Sequence, residues 1–246
     1  MIELINLTKK FASLTAVDNL NLKIATGEIF GFLGANGAGK TTTIKMMVGL
    51  LKPTVGTIII GGRDISKEPL EVKKIIGYIP DRSFLYEKLT AREFLQFVAG
   101  LYGISKKDCS DKIKRLLHLF SLEEWGDELI ESFSHGMRQR LVLSSALIHN
   151  PKVIIVDEPV VGLDPQGSRL VKTVFKNLIR AGVTVFLSTH VLAIAEELCD
   201  RIAIIHEGKM IALGTMGDMQ NKGDEGLESL FLRLTGGEEV GEYLLP

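Results

Sequence analysis

Residues 34–42 read Gly-Ala-Asn-Gly-Ala-Gly-Lys-Thr-Thr and directly follow the apolar run Ile-Phe-Gly-Phe-Leu at residues 29–33. Glycines at this spacing let the backbone turn its N–H groups inward around an anion, and Lys40 can reach the β- and γ-phosphates of a nucleotide. The Thr41 hydroxyl is placed to hold Mg²⁺, and the helix predicted to begin here directs its positive end at the phosphates. A flexible glycine turn is the simpler interpretation, but the strand before and the helix after favour a nucleoside triphosphate site.

The composition is that of an ordinary globular chain. It has 246 residues, 46% hydrophobic and 24% charged, enough for one large α/β domain or one domain with an inserted subdomain. A net charge of −1 gives no electrostatic footprint for nucleic acid, so we expect no nucleic-acid partner. Cys109 and Cys199 lack a CxxC spacing, which argues against a zinc site or disulfide framework and favours a reducing cytoplasm. We also expect no signal peptide and no membrane-spanning segment.

Short apolar runs alternate with helical periodicity along most of the chain. Nearly continuous apolar runs predict the strands of a parallel sheet buried on both faces, at residues 76–80, 153–156, 183–187 and 202–205. Further strands are predicted at 2–7, 20–24, 28–33, 56–61 and 209–213, and a tail helix at 227–234. Residues 89–150 instead show helical periodicity, so we interpret them as an inserted helical subdomain.

A second chemical element ends the apolar run at residues 153–156. Asp157 and Glu158 follow this run at the predicted carboxyl end of a core strand, where α/β folds bind ligands. Beside a phosphate-binding loop, Asp157 is suited to help hold Mg²⁺, and Glu158 to orient or deprotonate the attacking water. Taken alone, acids after an apolar strand are commonly a solvated strand end.

A third element is the run Phe-Ser-His-Gly-Met-Arg-Gln-Arg at residues 133–140, which opens a predicted helix through Leu147. Ser134 is typical of an N-cap residue, because its hydroxyl can accept a hydrogen bond from the first helical turn. A serine at a helix start next to Gly136 also offers its hydroxyl and nearby N–H groups to a phosphate. The two roles are compatible, so Ser134 and Gly136 are candidate nucleotide-binding residues.

Together these motifs make the chain resemble an ATP-binding cassette, the nucleotide-binding subunit of ABC transporters, over nearly its whole length. Five motifs stand in the family's order: Walker A at 34–42, the signature at 133–137, Walker B with the catalytic glutamate at 153–158, the D-loop at 162–165, and the H-loop residue His190. The resemblance implies an α/β P-loop NTPase (RecA-like) core with a parallel sheet, an N-terminal antiparallel β subdomain and an inserted α-helical subdomain. We expect a single ATPase domain, with the core at 1–83 and 151–215, the helical subdomain at 84–150 and a short tail at 216–246.

The resemblance also implies the ligands, ATP and Mg²⁺, and a set of site residues. Glu158, His190 and Lys40 are assigned to catalysis, with His190 contacting the γ-phosphate, although a histidine alone is more often structural. Phe11 is expected to stack on adenine with Val17 as a second wall, whereas by residue type alone Phe11 would be a core aromatic. The expected nucleotide-binding residues are Phe11, Val17, Asn36, Gly37, Ala38, Gly39, Lys40, Thr41, Thr42, Ser134 and Gly136. The expected metal-binding residues are Thr41, Asp81 and Asp157.

Two positions depart from the family pattern. Residues 135–137 read His-Gly-Met where the family usually has Gly-Gly-Gln, so the close approach of the backbone to the γ-phosphate rests on Gly136. Asp81 occupies the position of the Q-loop glutamine; it cannot offer an amide, but its oxygen is a hard ligand for Mg²⁺. These departures, and the tail at 227–236, resemble the ABC-2 type exporter branch, which includes multidrug, antibiotic and sodium exporters.

The mechanism that the resemblance implies is ATP sandwiching. The signature of one cassette completes the site of a second copy in a head-to-tail dimer, and separate integral membrane permease subunits receive the motion. We therefore expect a cytoplasmic chain, peripheral on the inner face of the cell membrane and most simply a homodimer. Residues 82–88 are the candidate permease contact, although their aromatic side chains could equally belong to the core of the inserted subdomain.

A soluble ABC-type ATPase that drives assembly or repair is the alternative to a transporter subunit. A non-enzymatic nucleotide-gated switch is disfavoured because Glu158 is present. Cassette chemistry is the same for every transported substrate, so the motifs name none.

Overall fold

The computed structural model describes residues 1–82, 84–159, 164–220 and 226–236. The strands are β1 (Ile2–Phe11), β2 (Leu14–Ile24), β3 (Ile29–Leu33), β4 (Val55–Ile60), β5 (Arg63–Asp64), β6 (Ile76–Ile79), β7 (Val153–Asp157), β8 (Thr184–Thr189), β9 (Arg201–His206) and β10 (Lys209–Thr215). The helices are α1 (Lys40–Met47), α2 (Pro69–Lys73), α3 (Ala91–Leu101), α4 (Lys106–Leu119), α5 (His135–Leu147), α6 (Pro165–Arg180), α7 (Leu192–Leu198), α8 (Met216–Gln220) and α9 (Leu227–Thr235).

The central sheet has six strands in the order β10-β9-β3-β8-β7-β6. All neighbours pair in parallel except β10, which is antiparallel to β9 at the edge. Every residue of β3, β7 and β8 is buried, as expected of parallel strands that are covered on both faces. The predicted α/β core with a parallel sheet is thereby confirmed.

The loop at residues 34–39 connects β3 to α1, so the glycine-rich motif lies at the carboxyl edge of the central sheet. The helix ends at Met47. Gly49 has a φ of +69°, the left-handed conformation in which glycine commonly ends a helix.

A second sheet is antiparallel, in the order β2-β1-β4-β5, which confirms the predicted N-terminal antiparallel unit. Its first two strands are longer than predicted, because β1 continues to Phe11 and β2 already begins at Leu14. Register shifts interrupt the β1–β2 pairing, and Asn6 and Asn19 take left-handed backbone angles. The alternation of apolar and polar residues is therefore broken where the hairpin extends, and sequence patterning missed these ends.

Helices α3, α4 and α5 occupy the region of predicted helical periodicity. Thr90 and Glu93 form a capping box at the start of α3, and Ile113, Leu117 and Phe120 are buried at the helical spacing that the sequence predicts for this region. One hydrophobic cluster extends from these helices to residues of β6 and β7, so α5 packs against the central sheet. The division of the chain at residues 83/84 and 150/151 stays a prediction.

After β10, helices α8 and α9 pack against each other, and α9 also packs against α7. Leu227 and Leu230 of α9 are buried in the cluster under the central sheet, and α9 (Leu227–Thr235) agrees closely with the predicted tail helix. Among the described residues, no helix combines the length and the apolar character needed to cross a membrane.

Candidate nucleotide-binding site

A cleft of about 770 Å³ opens where the loop at 34–39 enters α1. It lies at the carboxyl ends of β3, β7 and β8, the edge at which open α/β sheets bind ligands. The structure brings most of the predicted site residues to its wall. These are Phe11, Asn36, Gly37, Gly39, Lys40, Thr41, Thr42, Asp81, Asp157, Glu158 and His190.

The Lys40 side chain lies under the loop. Its Nζ donates to the carbonyl oxygens of Gly34 at 2.6 Å and Ala35 at 3.2 Å, and lies 3.9 Å from Glu158 Oε1. Burial lowers the pKa of Lys40, an effect that the carboxylates of Glu158 and Asp157 oppose. A buried ammonium on the wall of a cleft is a strong partner for phosphate oxygens.

The loop geometry depends on Gly39. Its φ is +108°, and a Cβ there would come within 2.5 Å of the Ala16 carbonyl oxygen, so a larger residue cannot fit. By contrast, a Cβ at Gly37 would meet nothing within 4 Å, so the loop is open to a ligand at that point. Ala38 is buried and does not line the cleft; its N–H donates to Ala35 O at 3.2 Å. Ala38 therefore shapes the loop.

Asp157 is held by two hydroxyl groups. Thr41 Oγ1 donates to its Oδ2 at 3.0 Å, and Ser188 Oγ donates to its Oδ1 at 2.5 Å. The structure thus joins the predicted metal residues of Walker A and Walker B, which lie more than a hundred residues apart in sequence. Among the described residues, no group of three or more His, Cys, Asp or Glu side chains is arranged to hold a metal ion.

Glu158 and His190 form one hydrogen-bonded unit. Glu158 Oε1 lies 2.8 Å from His190 Nδ1 and accepts from the His190 N–H at 3.1 Å, and its Oε2 accepts from Thr189 Oγ1 at 3.0 Å. The Glu158 backbone has a φ of +54°, which is unfavourable for a residue other than glycine, and its N–H donates to Ser188 O. A strained residue with every side-chain oxygen oriented is typical of a functional position.

Asp81 lies exposed on the same wall, within electrostatic reach of the half-buried Tyr78. Burial, with the carboxylates of Asp157 and Asp81, raises the pKa of Tyr78 to about 12. The Tyr78 hydroxyl therefore stays protonated at neutral pH and adds no negative charge near the cleft.

The other end of the cleft is built by the β1–β2 hairpin. Phe11 is 44% exposed and lines the wall, with Lys9 Nζ 5.0 Å from its ring centroid. The structure does not bring Val17 there: its side chain is fully buried in the cluster between the two sheets. Successive residues of a strand face opposite sides, so Ala16 lines the cleft in its place.

The signature residues lie away from this cleft. Ser134 is the N-cap of α5, its Oγ accepting from Met137 N at 3.3 Å, and its side chain is exposed. Neither Ser134 nor Gly136 lines the cleft of its own chain. In the D-loop, Gly162 and Leu163 lie outside the described residues, while Asp164 caps α6 by accepting from Gly167 N at 2.7 Å.

Sequence reasoning missed several residues of the wall, notably Glu207 and Gly208. They form the two-residue turn between β9 and β10, with φ values of +47° and +78°. The signal was present, since an apolar strand, Glu-Gly and a second strand candidate together predict a tight hairpin. Leu14, Thr15, Ala16 and Ala35 also line the cleft through tertiary packing, which no local pattern reports.

The fold and the cleft define a P-loop nucleoside triphosphatase. Residues 17–161 match the ABC transporter family. The chain is 43% identical over 230 residues to the uncharacterized ABC transporter ATP-binding protein YhcH of Bacillus subtilis, covering 93% of this chain and 72% of the relative. It is 42% identical over 212 residues to the bacitracin transport ATP-binding protein BcrA of Bacillus licheniformis, and the match covers 86% of this chain and 68% of that protein. It is 38% identical over 213 residues to the Nod factor export ATP-binding protein I of Paraburkholderia xenovorans, covering 87% and 70%.

Comparison with solved structures gives the same family. The ATP-binding subunit of an ABC transporter superposes with a TM-score of 0.89 at 32% identity, covering 95% of this chain and 99% of that one. A dimeric post-hydrolysis state of the ATP-binding cassette MJ0796, bound to ADP and Pi, superposes with a TM-score of 0.80 at 26% identity. The match covers 87% of this chain and 98% of that one.

The chain therefore belongs to the ABC transporter family. It is an ATP-binding subunit with ATPase function, homologous to exporter ATP-binding proteins. A soluble ATPase for assembly or repair is not favoured.

Proposed function

We propose that this chain hydrolyses ATP to drive export of a solute through separate membrane subunits. The observation that carries the proposal is the single cleft in which Lys40, Thr41, Asp157, Glu158 and His190 converge from separate parts of the chain. The relative named for bacitracin transport supports the movement of a solute, and the relative named for Nod factor export supports the outward direction. The absence of a spanning helix among the described residues is consistent with a need for partners in the membrane.

In the proposed reaction, Lys40 binds the β- and γ-phosphates and exchanges its bonds to loop carbonyls for phosphate oxygens. Glu158 accepts the proton of the attacking water, and Thr189 and His190 hold its carboxylate in place. Strong orientation of the base matters because most of the catalysis of phosphoryl transfer comes from positioning and electrostatics.

The donor set fits a magnesium ion in the manner usual for P-loop proteins. The Thr41 hydroxyl and the Asp157 carboxylate, 3.0 Å apart, supply hard oxygens, and Mg²⁺ is usually held by one or two carboxylates plus substrate phosphates and water. When bound, the ion neutralises charge that develops on the phosphate oxygens. Asp81, on the same wall, is proposed as a further oxygen ligand.

We propose a head-to-tail dimer in which Ser134 and Gly136 of each copy contact the nucleotide of the other. These residues lie outside the cleft of their own chain, and Ser134 is exposed at the N-terminal end of a 13-residue helix, which favours anions. The solved MJ0796 neighbour is dimeric, which supports the same arrangement here. The backbone at Gly136 is the point at which a γ-phosphate would approach most closely.

We propose that Phe84 and Tyr86, within the predicted contact segment 82–88, contact the membrane subunit. Phe84 is 82% exposed and Tyr86 is 60% exposed, whereas Leu85 packs against the hydrophobic cluster. Tyr86 makes an edge-on contact with Phe97 at 5.5 Å between ring centroids and lies 6.4 Å from the Phe94 ring, so two aromatic residues of α3 support it. Exposed aromatic side chains on a supported surface are typical of protein interfaces. The chain would then lie on the inner face of the cell membrane.

The test is reconstitution of the chain with its co-purifying membrane subunit in sealed vesicles. We expect ATP-dependent movement of solute out of the ATP-containing compartment, and its loss in Glu158→Gln. A chain that purifies from detergent without any membrane subunit, or a reconstituted complex that hydrolyses ATP without moving solute, would contradict the transport proposal while leaving the ATPase intact.

A further inference from the structure

Glu207 lines the nucleotide cleft but takes no part in the arrangement around Lys40. Its side chain is exposed, and within the described parts of the chain its carboxylate has neither a hydrogen-bond nor an ion-pair partner. It shares the wall with Phe11 and Thr15, at the end built by the β1–β2 hairpin. An acid without partners on the wall of a ligand cleft is available to the ligand itself.

The backbone of Glu207 is unfavourable for this residue type. It occupies the first position of a two-residue hairpin turn with φ +47°, where Asn, Asp and Gly are preferred. Glutamate has neither the freedom of glycine nor the short side chain that stabilises Asn or Asp in this conformation. Such a residue in a ligand cleft points to a role for the longer carboxylate side chain.

The turn is fixed relative to the phosphate-binding loop. Gly208 N donates to Ala38 O at 3.0 Å, and Asp18 N donates to Gly208 O at 2.8 Å. Two main-chain bonds therefore tie the turn to the loop on one side and to β2 on the other. Because the loop also positions the phosphates, Glu207 has a defined position relative to a nucleotide bound there.

The chemical groups of the nucleotide determine which of them Glu207 can contact. With the triphosphate at Lys40 and the base at Phe11, the ribose lies between them. The turn that carries Glu207 joins these two ends, because Gly208 bonds to Ala38 of the phosphate-binding loop and lies against Ala16 of β2. An ionised carboxylate only accepts hydrogen bonds, so it disfavours phosphate oxygens and suits hydroxyl donors. An acid that accepts from ribose hydroxyls is a known solution in other nucleotide-binding folds.

We propose that Glu207 accepts a hydrogen bond from the ribose hydroxyls of the bound nucleotide and thereby selects ribonucleotides. The proposal rests on the proposed function, in that the nucleotide occupies the cleft with its triphosphate at Lys40. Glu207 acts in binding and takes no part in the hydrolytic step.

The experiment is calorimetric titration of the full chain with ATP and with 2′,3′-dideoxy-ATP, which carries the same charge but lacks both ribose hydroxyls. We expect the wild-type chain to bind ATP about tenfold more tightly than the dideoxy nucleotide, since a hydrogen bond to a charged group is lost. In Glu207→Ala the preference should fall to within about twofold, because both nucleotides then lack the contact. The positive φ at this position is about equally unfavourable for Ala and for Glu. The variant and the wild-type chain should therefore have the same melting temperature.

Asp18→Asn is the matched control, since it removes a neighbouring carboxylate that does not line the cleft and should keep the tenfold preference. Equal weakening of both nucleotides by Glu207→Ala, or an unchanged preference, would overturn the ribose contact. If neither nucleotide binds the wild-type chain, or if binding survives Lys40→Ala unchanged, the placement of the nucleotide fails instead, and with it the proposed function.

Discussion

The nucleotide cleft and the N-terminal end of α5 both carry family motifs, yet they differ in how complete they are. In the cleft, Asp157 and Glu158 are bonded to hydroxyl and imidazole groups from two other segments of the same chain. At α5, the Ser134 side chain is exposed, and its hydroxyl oxygen accepts a hydrogen bond from the Met137 N–H of its own helix. The first region has the groups for a reaction within one chain, whereas the second offers groups that need a surface from elsewhere. The contrast teaches that the isolated chain should bind ATP but should need a second copy to complete the site.

The largest effect should come from the base inside the cleft. We expect Glu158→Gln to retain ATP binding and to lower steady hydrolysis by about a hundredfold or more, since general bases contribute roughly that much. The readout is phosphate release at saturating ATP. Glu71→Gln, which removes a surface carboxylate paired with Lys74, is the matched control and should retain full activity. Turnover in Glu158→Gln like that of the wild type would reject Glu158 as the base.

The next effect is on binding itself. Lys40→Ala removes the buried ammonium, and we expect ATP affinity to fall by about tenfold or more, because charge-assisted bonds to phosphate are lost. Titration with ATP measures the change directly. Lys45→Ala, on the exposed side of the same helix, controls for the loss of a positive charge on α1 and should leave affinity unchanged. Unchanged affinity in Lys40→Ala would show that the phosphates bind elsewhere.

The incomplete surface at α5 is tested by association. In a Glu158→Gln background, ATP should convert the monomer to a dimer, which light scattering detects as a doubled mass. Adding Gly136→Asp should prevent this, because bulk and negative charge then meet the γ-phosphate of the partner copy. Ser110→Asp, on the exposed side of α4, should leave the dimer intact. An ATP-bound monomer in the Glu158→Gln variant, or a dimer after Gly136→Asp is added, would contradict the proposal that the N-terminal end of α5 completes the site of a second copy.

The smallest effect on the isolated chain should come from the exposed aromatic residues. Phe84→Ala and Tyr86→Ala should leave basal hydrolysis within about twofold, yet weaken binding of the membrane subunit by about tenfold, as expected of aromatic interface residues. Leu85→Ala is the contrasting variant, since Leu85 packs against the core and its truncation should lower the melting temperature. A similar loss of thermal stability in Phe84→Ala would place that residue in the core and end its assignment as a contact.

The parts of the molecule that could be predicted from sequence are those in which a short run of residues determines both the local structure and the functional groups. The strand, glycine loop and helix at residues 29–47 and the buried strands beside them follow from apolar runs and turn residues, and the comparisons confirm the family. Val17 shows the limit of prediction from sequence. Side chains alternate between the two faces of a strand, so an error of one residue decides whether a side chain is expected in the cleft or in the core, where Val17 lies. The bulged ends of β1 and β2 were missed for a similar reason, since register shifts there erase the alternation. The assignment of catalytic and binding roles stays a prediction until the variants above are measured.

Gly208 has a consequence for altering which nucleotide the protein uses. Its carbonyl and its N–H join β2 to the phosphate-binding loop through main-chain bonds alone, and a Cβ there would come within 2.9 Å of the Ala16 carbonyl oxygen. The separation between the Phe11 end of the cleft and the phosphate-binding loop is therefore set by the backbone, whatever side chains line the Phe11 end. Residues such as Phe11 and Leu14 can then be exchanged to accommodate another base without re-engineering the phosphate loop. In such redesign, Gly208 is the position to leave untouched.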